Sequence, residues 1–483
     1  MKNLVHVAAH VLFAVALSWC IFPQSQIRGD FVLYTIPGSD RTIVLEGKTK
    51  VIPGGNVEFT HRNFGSVVFS LADAVVVKAP ARNEHVRKLR TDAIKSLSAE
   101  RFLEAAREAL RCGLLKECRE CCDDASRIDP NHKIVQAIVE ARNRIAKPIG
   151  DPKDSEARMR ESTGLAKLRT AVSPHYIMLH DTANIRSGKD RHTRAESRLE
   201  LLETIFESYF LKFALHGVQL ETPNQRLMVI LFSEEQSFQR YSAAVDTRLA
   251  YAGGYWSPKD NISVFYDQGT TPSMKRMTET VDDLKKRKLQ LRGTALSQEV
   301  ALLSNAIELI TKVAKEESDI EVVSHEAAHQ LAGNSGIMPR DRITSRWAHE
   351  GLASFFETPS GAVWGGVGAV NQSRLMDHRI VTRDRSRTGI ESIVSDRLFL
   401  EAKNQLEAVE AYGQAWALTY FLMNTRFEAL MAYYKATNAL PDDANGEVRL
   451  RAFQSVFGET RLLEPSFLEY MGKLKTNLER IRE

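Results

Sequence analysis

The sequence predicts an α+β fold in which a small β-rich module and a helical hairpin precede a larger mixed domain. Three observations carry this expectation. Residues 31–77 hold short apolar runs separated by turn signals roughly every ten positions, a helical period takes over from Arg82 to Ala146, and strand-like and helix-like stretches mix from about Ser155 onward. The 483 residues allow two or three domains at about 150 residues each. Apolar residues at 43% and charged residues at 26% match globular chains and exclude disorder or a fibrous repeat as the main state. A net charge of +4 over so large a surface argues against nucleic acid as a partner.

At the start, Lys2 precedes an apolar stretch from Leu4 to Phe22 broken only by His6, His10 and Ser18, and the polar Gln24-Ser25-Gln26 follows. This order reads as an export signal over residues 1–22, with Ser18 and Cys20 small enough for cleavage after Cys20. If retained, residues 4–22 just reach across ~30 Å of hydrocarbon as a membrane anchor, a reading the two histidines weaken. The rest of the chain is then expected outside the cytoplasm, in the periplasm, cell envelope or extracellular space.

Residues 23–80 follow as the β-rich module. Ile43-Val44-Leu45, Val57 with Phe59, and Val67-Val68-Phe69 are separated by Pro37-Gly38-Ser39-Asp40, Pro53-Gly54-Gly55-Asn56 and Asn63-Phe64-Gly65, which predicts a small barrel. Over residues 82–147, Ala105, Ala109 and Leu110 lead to Cys112-Gly113, a second helix runs from Leu115 to Ile128, and a third covers Ile134 to Ile145. Small residues with a glycine turn resemble a tetratricopeptide hairpin. Such arrays need about three repeats, so this one is expected to pack on a neighbour rather than form a peptide-binding solenoid. Cys112, Cys118, Cys121 and Cys122 lack a zinc-finger spacing; they read as small apolar residues of the hairpin, with disulfides as the alternative outside the cytoplasm. Lys147-Pro148-Ile149-Gly150-Asp151-Pro152 opens a linker over residues 148–160.

Residues 161–483 form the mixed domain. A helix is predicted from Arg194 to Leu215, a buried strand over Leu227–Phe232, and a hairpin from Gly253–Trp256 to Ile262–Tyr266 through a Pro258–Asn261 turn. The basic run Lys285-Lys286-Arg287-Lys288 reads as a solvated helix face.

Chemistry concentrates in one segment. Val322 to Leu331 contains His325-Glu326-Ala327-Ala328-His329 with no Pro or Gly before Gly333, the expected helix stop. At about 100° per residue the two histidines lie about 40° apart on one helix face. Ile320, Val323, Ala327 and Leu331 make the opposite, core-facing stripe. Two imidazoles so spaced can share a zinc ion at about 2.0–2.1 Å, and Glu326 projects beside it, where a carboxylate can take a proton from water. Zinc that acts on a substrate needs a third protein ligand. Trp347 to Glu357 reads as a second helix, with Glu350, Ser354 and Glu357 on one side and His349 nearly sideways. Glu350 is the best-placed third ligand, and Glu357 is its competitor.

H-E-x-x-H followed about twenty residues later by W-x-x-E-G-L-A-x-x-F-E resembles the gluzincin metallopeptidases, the thermolysin-like clan. It is closest to their peptidase MA-like branch of exported bacterial proteins, many catalogued only as a domain of unknown function. The resemblance spans roughly residues 170–475. It implies that His325, His329 and Glu350 hold Zn2+, that Glu326 is the general base and acid, and that an edge strand near Tyr255–Tyr266 receives an extended peptide. A Tyr or His that stabilises the oxyanion is implied downstream, and Tyr412 is the candidate, against an ordinary packing role for a helix-start aromatic. Ser354 stands where relatives often carry an Asp supporting a zinc-bound His, so that support must come from elsewhere. The aminopeptidase G-x-M-E-N signature is absent, which argues against N-terminal exopeptidase activity. The expectation is a zinc endopeptidase acting on a protein or peptide. The alternatives are a non-catalytic cell-envelope interaction protein with a structural or idle zinc site, docking partners through its N-terminal modules, and a hydrolase of a non-peptide amide.

Overall fold

Two five-stranded sheets and a set of helices are tied together by one long helix. The computed structural model describes residues 28–36, 42–80, 82–186, 192–342, 344–381, 389–476 and 479–480, so the export segment expected at 1–22 lies outside the described residues. The fold is mixed α+β, as its patterning predicts.

Strands β1 (Arg28–Thr35), β2 (Thr42–Ile52), β3 (Asn56–His61), β4 (Gly65–Ser70) and β5 (Ala74–Pro80) pair antiparallel in the order β4-β3-β2-β1-β5. The expected barrel is therefore corrected to an open sheet with β4 and β5 as edges. The cause is external: the inward face (Val32, Tyr34, Leu45, Val57, Phe59, Phe69) buries against Ala306, Leu309, Ile310 and Val313 of a helix from the larger domain. A sheet whose apolar face is covered by a helix has no need to curl on itself.

Helices α1 (Arg82–Ser96), α2 (Ala99–Arg111), α3 (Leu115–Ile128) and α4 (Lys133–Ile145) follow. Cys118, Cys121 and Cys122 are buried in the packing between them, and among the described residues neither these nor Cys112 form a disulfide. Burial pushes the Cys121 thiol up to about 12, which suits packing rather than reactivity. The predicted linker is corrected in part, because Pro152–Thr163 is helix α5. Asp151 accepts from the Lys153 N–H at 2.7 Å as N-cap, Pro152 occupies the first turn, and Gly164 at φ 69° closes the helix. The Asp-Pro pair is a helix start, not a break.

The second sheet contains β6 (Arg169–Val172), β7 (Tyr176–His180), β8 (Leu227–Phe232), β9 (Gly254–Ser257) and β10 (Ile262–Tyr266) in the order β6-β7-β8-β10-β9. β7, β8 and β10 are parallel and nearly wholly buried, which explains the continuous apolar run of β8; β6 and β9 pair antiparallel at the edges. Helix α6 (Arg194–Ala214) starts at a Thr193/Glu196 capping box, and α7 (Glu235–Val245) follows β8. Then come α8 (Pro272–Gln290), α9 (Ala295–Asn334), α10 (Arg346–Phe356), α11 (Gln372–Val381), α12 (Ile390–Val394), α13 (Arg397–Leu400), α14 (Gln405–Thr425), α15 (Phe427–Thr437), α16 (Gly446–Phe457) and α17 (Thr460–Lys473).

Helix α9 is the spine. Its 40 residues extend about 60 Å. The N-terminal half pairs with α8 and covers the first sheet, while the C-terminal half lies on the second sheet and against α6 and α10. Gln330 fixes the second contact: its Nε2 donates to the Met228 carbonyl at 3.1 Å and the Asn261 carbonyl at 2.9 Å, and its Oε1 accepts from the Ser263 hydroxyl at 3.3 Å. Arg198 of α6, only 2% exposed, pairs with Glu316 at 2.7 Å and Asp319 at 3.3 Å on α9. Removing one partner from so buried a pair costs about 3–5 kcal/mol. The helix also runs through Gly333 and ends at Asn334, a correction with a packing reason: a Cβ at Gly333 would stand 2.6 Å from Trp256 Cζ2. Gly333 is the floor under an indole rather than a stop.

Candidate metal centre

The apolar stripe of α9 (Ile320, Val323, Ala327, Leu331) is at most 3% exposed, which turns the opposite face, with His325 and His329, towards α10. The N-terminus of α10 is set by Asp396, whose carboxylate accepts from the Arg346 and Trp347 N–H groups at 2.8 Å each. Its middle is set by Gly351. A Cβ there would lie 2.6 Å from the Ala415 carbonyl oxygen, so only glycine lets α10 cross α14 this closely. That crossing brings Glu350 and Tyr412, on neighbouring turns of the two helices, to one place.

His325 Nε2 and His329 Nε2 are 3.1 Å apart, His325 Nε2 and Glu350 Oε2 are 3.2 Å apart, and His329 Nε2 and Glu350 Oε2 are 3.3 Å apart. The edge of a tetrahedron of ligands around zinc is about 3.3 Å. Two imidazoles and a carboxylate thus form one face of such a tetrahedron, and the three residues are a group able to hold a metal ion. The electrostatics agree. Burial opposes a charge on His325, yet Glu350 and Glu357 reverse this and push its pKa up to about 10. Burial likewise opposes the Glu350 charge, and His329 and His325 hold that pKa well below the usual carboxylate range. The pocket favours positive charge at its centre.

Glu357, the competing ligand, has a different place. It follows the last residue of α10, and its Oε2 accepts from His325 Nδ1 at 2.8 Å. Asn371 Nδ2 and Arg374 Nε each donate to its Oε1 at 3.1 Å, and Arg374 Nη2 donates to its Oε2 at 3.1 Å. Burial opposes its charge, but Arg374 and His325 bring its pKa down to about 2. This would be the support for a candidate metal-ligating histidine that Ser354 does not provide; Ser354 is buried and its Oγ is unpaired among the described residues. Asn371 and Arg374 carry no motif signal that could have singled them out in the sequence.

Two further side chains, His349, set aside as a ligand because it points sideways, and Trp256 of the hairpin, border the site. The His349 ring stacks on His329 with centroids 4.4 Å apart, and Trp256 stacks on the other side of His349 at 5.9 Å. Burial, then the neighbouring His329, lowers the His349 pKa to about 3, so it stays neutral and acts as a spacer between metal face and edge strand. Glu326 is 8% exposed, and the nearby backbone N–H of Trp256 on edge strand β9 favours its charged form. Burial raises its pKa, against the opposing effect of His325 and His329. The Tyr412 ring centroid is 6.2 Å from that of His325, and Arg374 lies over its face at 5.2 Å. The charge of Glu350, then burial, raises its phenol pKa, so the O–H stays protonated and remains a donor. All five residues expected from the sequence therefore lie close together.

A family model described as "Protein of unknown function (DUF1570)" matches residues 319–441, so a domain of that kind covers this stretch. It spans the last turns of α9 and all of α10 to α15, and includes His325, Glu326, His329, Glu350, Glu357 and Tyr412. No curated protein matches the chain.

Proposed function

We propose that this protein is a zinc-dependent endopeptidase acting outside the cytoplasm, with the gluzincin arrangement that its motifs resemble. The observation that carries the reading is the triangle of three donor atoms 3.1–3.3 Å apart with a buried carboxylate, Glu326, beside it. His325, His329 and Glu350 would hold the ion, with Glu357 orienting His325. Bound there, zinc supplies Lewis acidity, which lowers the pKa of water from roughly 16 to about 7 and polarises a carbonyl. Glu326 takes the proton of the attacking water and returns it to the leaving amine. The Tyr412 O–H donates to the developing oxyanion. Strand β9, at the sheet edge beside Glu326, offers main-chain groups to an extended peptide. The export reading of residues 1–22 supports a site outside the cytoplasm.

The test joins metal content with hydrolysis. Emission spectrometry should find one zinc per chain, falling well below one in His325→Ala and Glu350→Ala. A denatured protein mixture should be cleaved, chelator should stop the cleavage, and Glu326→Gln should keep zinc but lose turnover by about 10²–10⁴-fold. Wild-type turnover in Glu326→Gln removes the assigned base. Zinc without chelator-sensitive cleavage leaves the non-catalytic envelope protein as the reading.

A further inference from the structure

The α8–α9 hairpin projects from the body of the molecule. Val281 on α8 and Ser304 on α9 are buried, and no described side chain between Asp282 and Leu303 is. The last interior contacts of the two helices are with the first sheet, near Met277 and Ala306. Beyond Val281 and Ser304 α8 continues to Gln290 and α9 begins at Ala295, so roughly nine residues of each helix, about 13 Å, contain no buried side chain among the described residues.

The shafts of the projection carry Asp282, Asp283 and Glu299, and its end is basic. Residues 285–292 contain Lys285, Lys286, Arg287, Lys288 and Arg292 and no acidic residue. Lys285 pairs with Glu308 at 2.7 Å and Lys286 with Asp283 at 3.2 Å. Arg287, Lys288 and Arg292 have no ion-pair partner among the described residues. Next to them two leucines face water, Leu289 at 70% and Leu296 at 50% exposure. A solvated helix face accounts for the cations, and two exposed leucines stand beside them at the end of the projection.

We propose that this tip docks on the anionic lipid headgroups of a bilayer surface. Five cations within eight residues complement a negative surface, each worth about a factor of five in partitioning, and exposed leucines at the same end enter the interface that the cations reach. A polyanion such as nucleic acid would use the cations and leave Leu289 and Leu296 idle, so the lipid surface accounts for more of the tip. Among the described residues no helix is long and apolar enough to cross a membrane. Helix α9 then also acts as a spacer. Leu296 and His325 lie on one continuous helix, at most about 43 Å apart along its axis, which holds the metal centre at up to that height above the lipid. This height follows from the helix alone and does not depend on hydrolysis.

The experiment is co-sedimentation of the full chain with vesicles of phosphatidylcholine alone and of equimolar phosphatidylcholine and phosphatidylglycerol, at low and high salt. Wild type should prefer the anionic vesicles and lose that preference in high salt. The triple variant Lys286→Gln, Arg287→Gln, Lys288→Gln should bind them about 100-fold more weakly. The double variant Leu289→Ser, Leu296→Ser should bind roughly tenfold more weakly. All substituted side chains are exposed, and unchanged melting curves verify folding. Any contribution of residues 4–22 is common to wild type and variants and cancels in the ratio. Equal binding to both vesicle types, or variants that bind like wild type, overturns the proposal. Tight binding of duplex DNA that the leucine variant retains, with no vesicle preference, makes the tip a polyanion site instead. Glu326→Gln should bind vesicles like wild type, so loss of the peptidase reading would leave this result unaffected.

Discussion

Replacing Glu357 by Gln tests whether the recess is organised as a metal centre. The carboxylate receives four hydrogen bonds, two at each oxygen: Asn371 Nδ2 and Arg374 Nε at Oε1, His325 Nδ1 and Arg374 Nη2 at Oε2. An amide has one NH2, and whichever way it is set, that group meets two donors. One end of the network must therefore break, and turning the side chain over does not rescue it. Loss of such a partner to a metal-binding histidine weakens metal affinity by about 10–100-fold, or about 1.4–2.7 kcal/mol. Removing the charge also strips Arg374 of its main counter-ion, because Asp377 and Glu321 stand at 3.7 and 3.8 Å; the metal-free fold should lose about 3 kcal/mol. Zinc affinity is measured by competition with a chromogenic chelator, and stability by denaturant titration of metal-free protein. A folded Glu357→Gln protein whose zinc affinity lies within twofold of wild type would refute the reasoning, since Nδ1 of His325 would then need no anionic partner.

Other outcomes follow from the same geometry. Tyr412→Phe should keep its zinc and lower kcat by about 10²–10³-fold, as loss of one oxyanion donor does; an unchanged kcat assigns Tyr412 to packing. Gly351→Ala should destabilise by about 1–3 kcal/mol and lower kcat as well, because α10 must move off the Ala415 carbonyl; a neutral effect in denaturant titration contradicts the close crossing. Lys212 lies over Phe355 and Phe427 at 5.4 and 5.7 Å, and burial, with the charge of Arg107, lowers its pKa to about 8. The folded state thus binds this proton less tightly than the unfolded state, so the stability it gives is full above pH 10.5 and lost as pH falls through 8. Lys212→Met should therefore be more stable than wild type by on the order of 3 kcal/mol at pH 7, with the gap closing towards pH 10.5; a gap that ignores pH would sink this assignment.

Much of the site was legible because its signals are local. The spacing of His325 and His329 sets both rings on one face of any helix that contains them, and the apolar stripe at Ile320, Val323, Ala327 and Leu331 says which face is free. The same holds for β8, whose unbroken apolar run requires burial on both sides, and for the β9–β10 hairpin around Pro258–Asn261. These features depend on neighbours within a few residues, and backbone periodicity reports them directly.

What only the tertiary structure decided are contacts between distant segments and the ends of helices. A helical wheel puts Glu357 on the side of Glu350. The helix stops at Phe356, and the non-helical backbone of Glu357 (φ −81°, ψ 84°) turns its carboxylate from the metal face to Nδ1 of His325. Gly333 reads as a helix stop until the indole of Trp256 is seen resting on it, and the first sheet reads as a closed barrel until α9 is found across its apolar face. In each case the deciding partner is tens or hundreds of residues away. Periodicity states which surface of a segment must be covered; what covers it is set by packing the whole chain into the least exposed apolar area, and no local pattern encodes that.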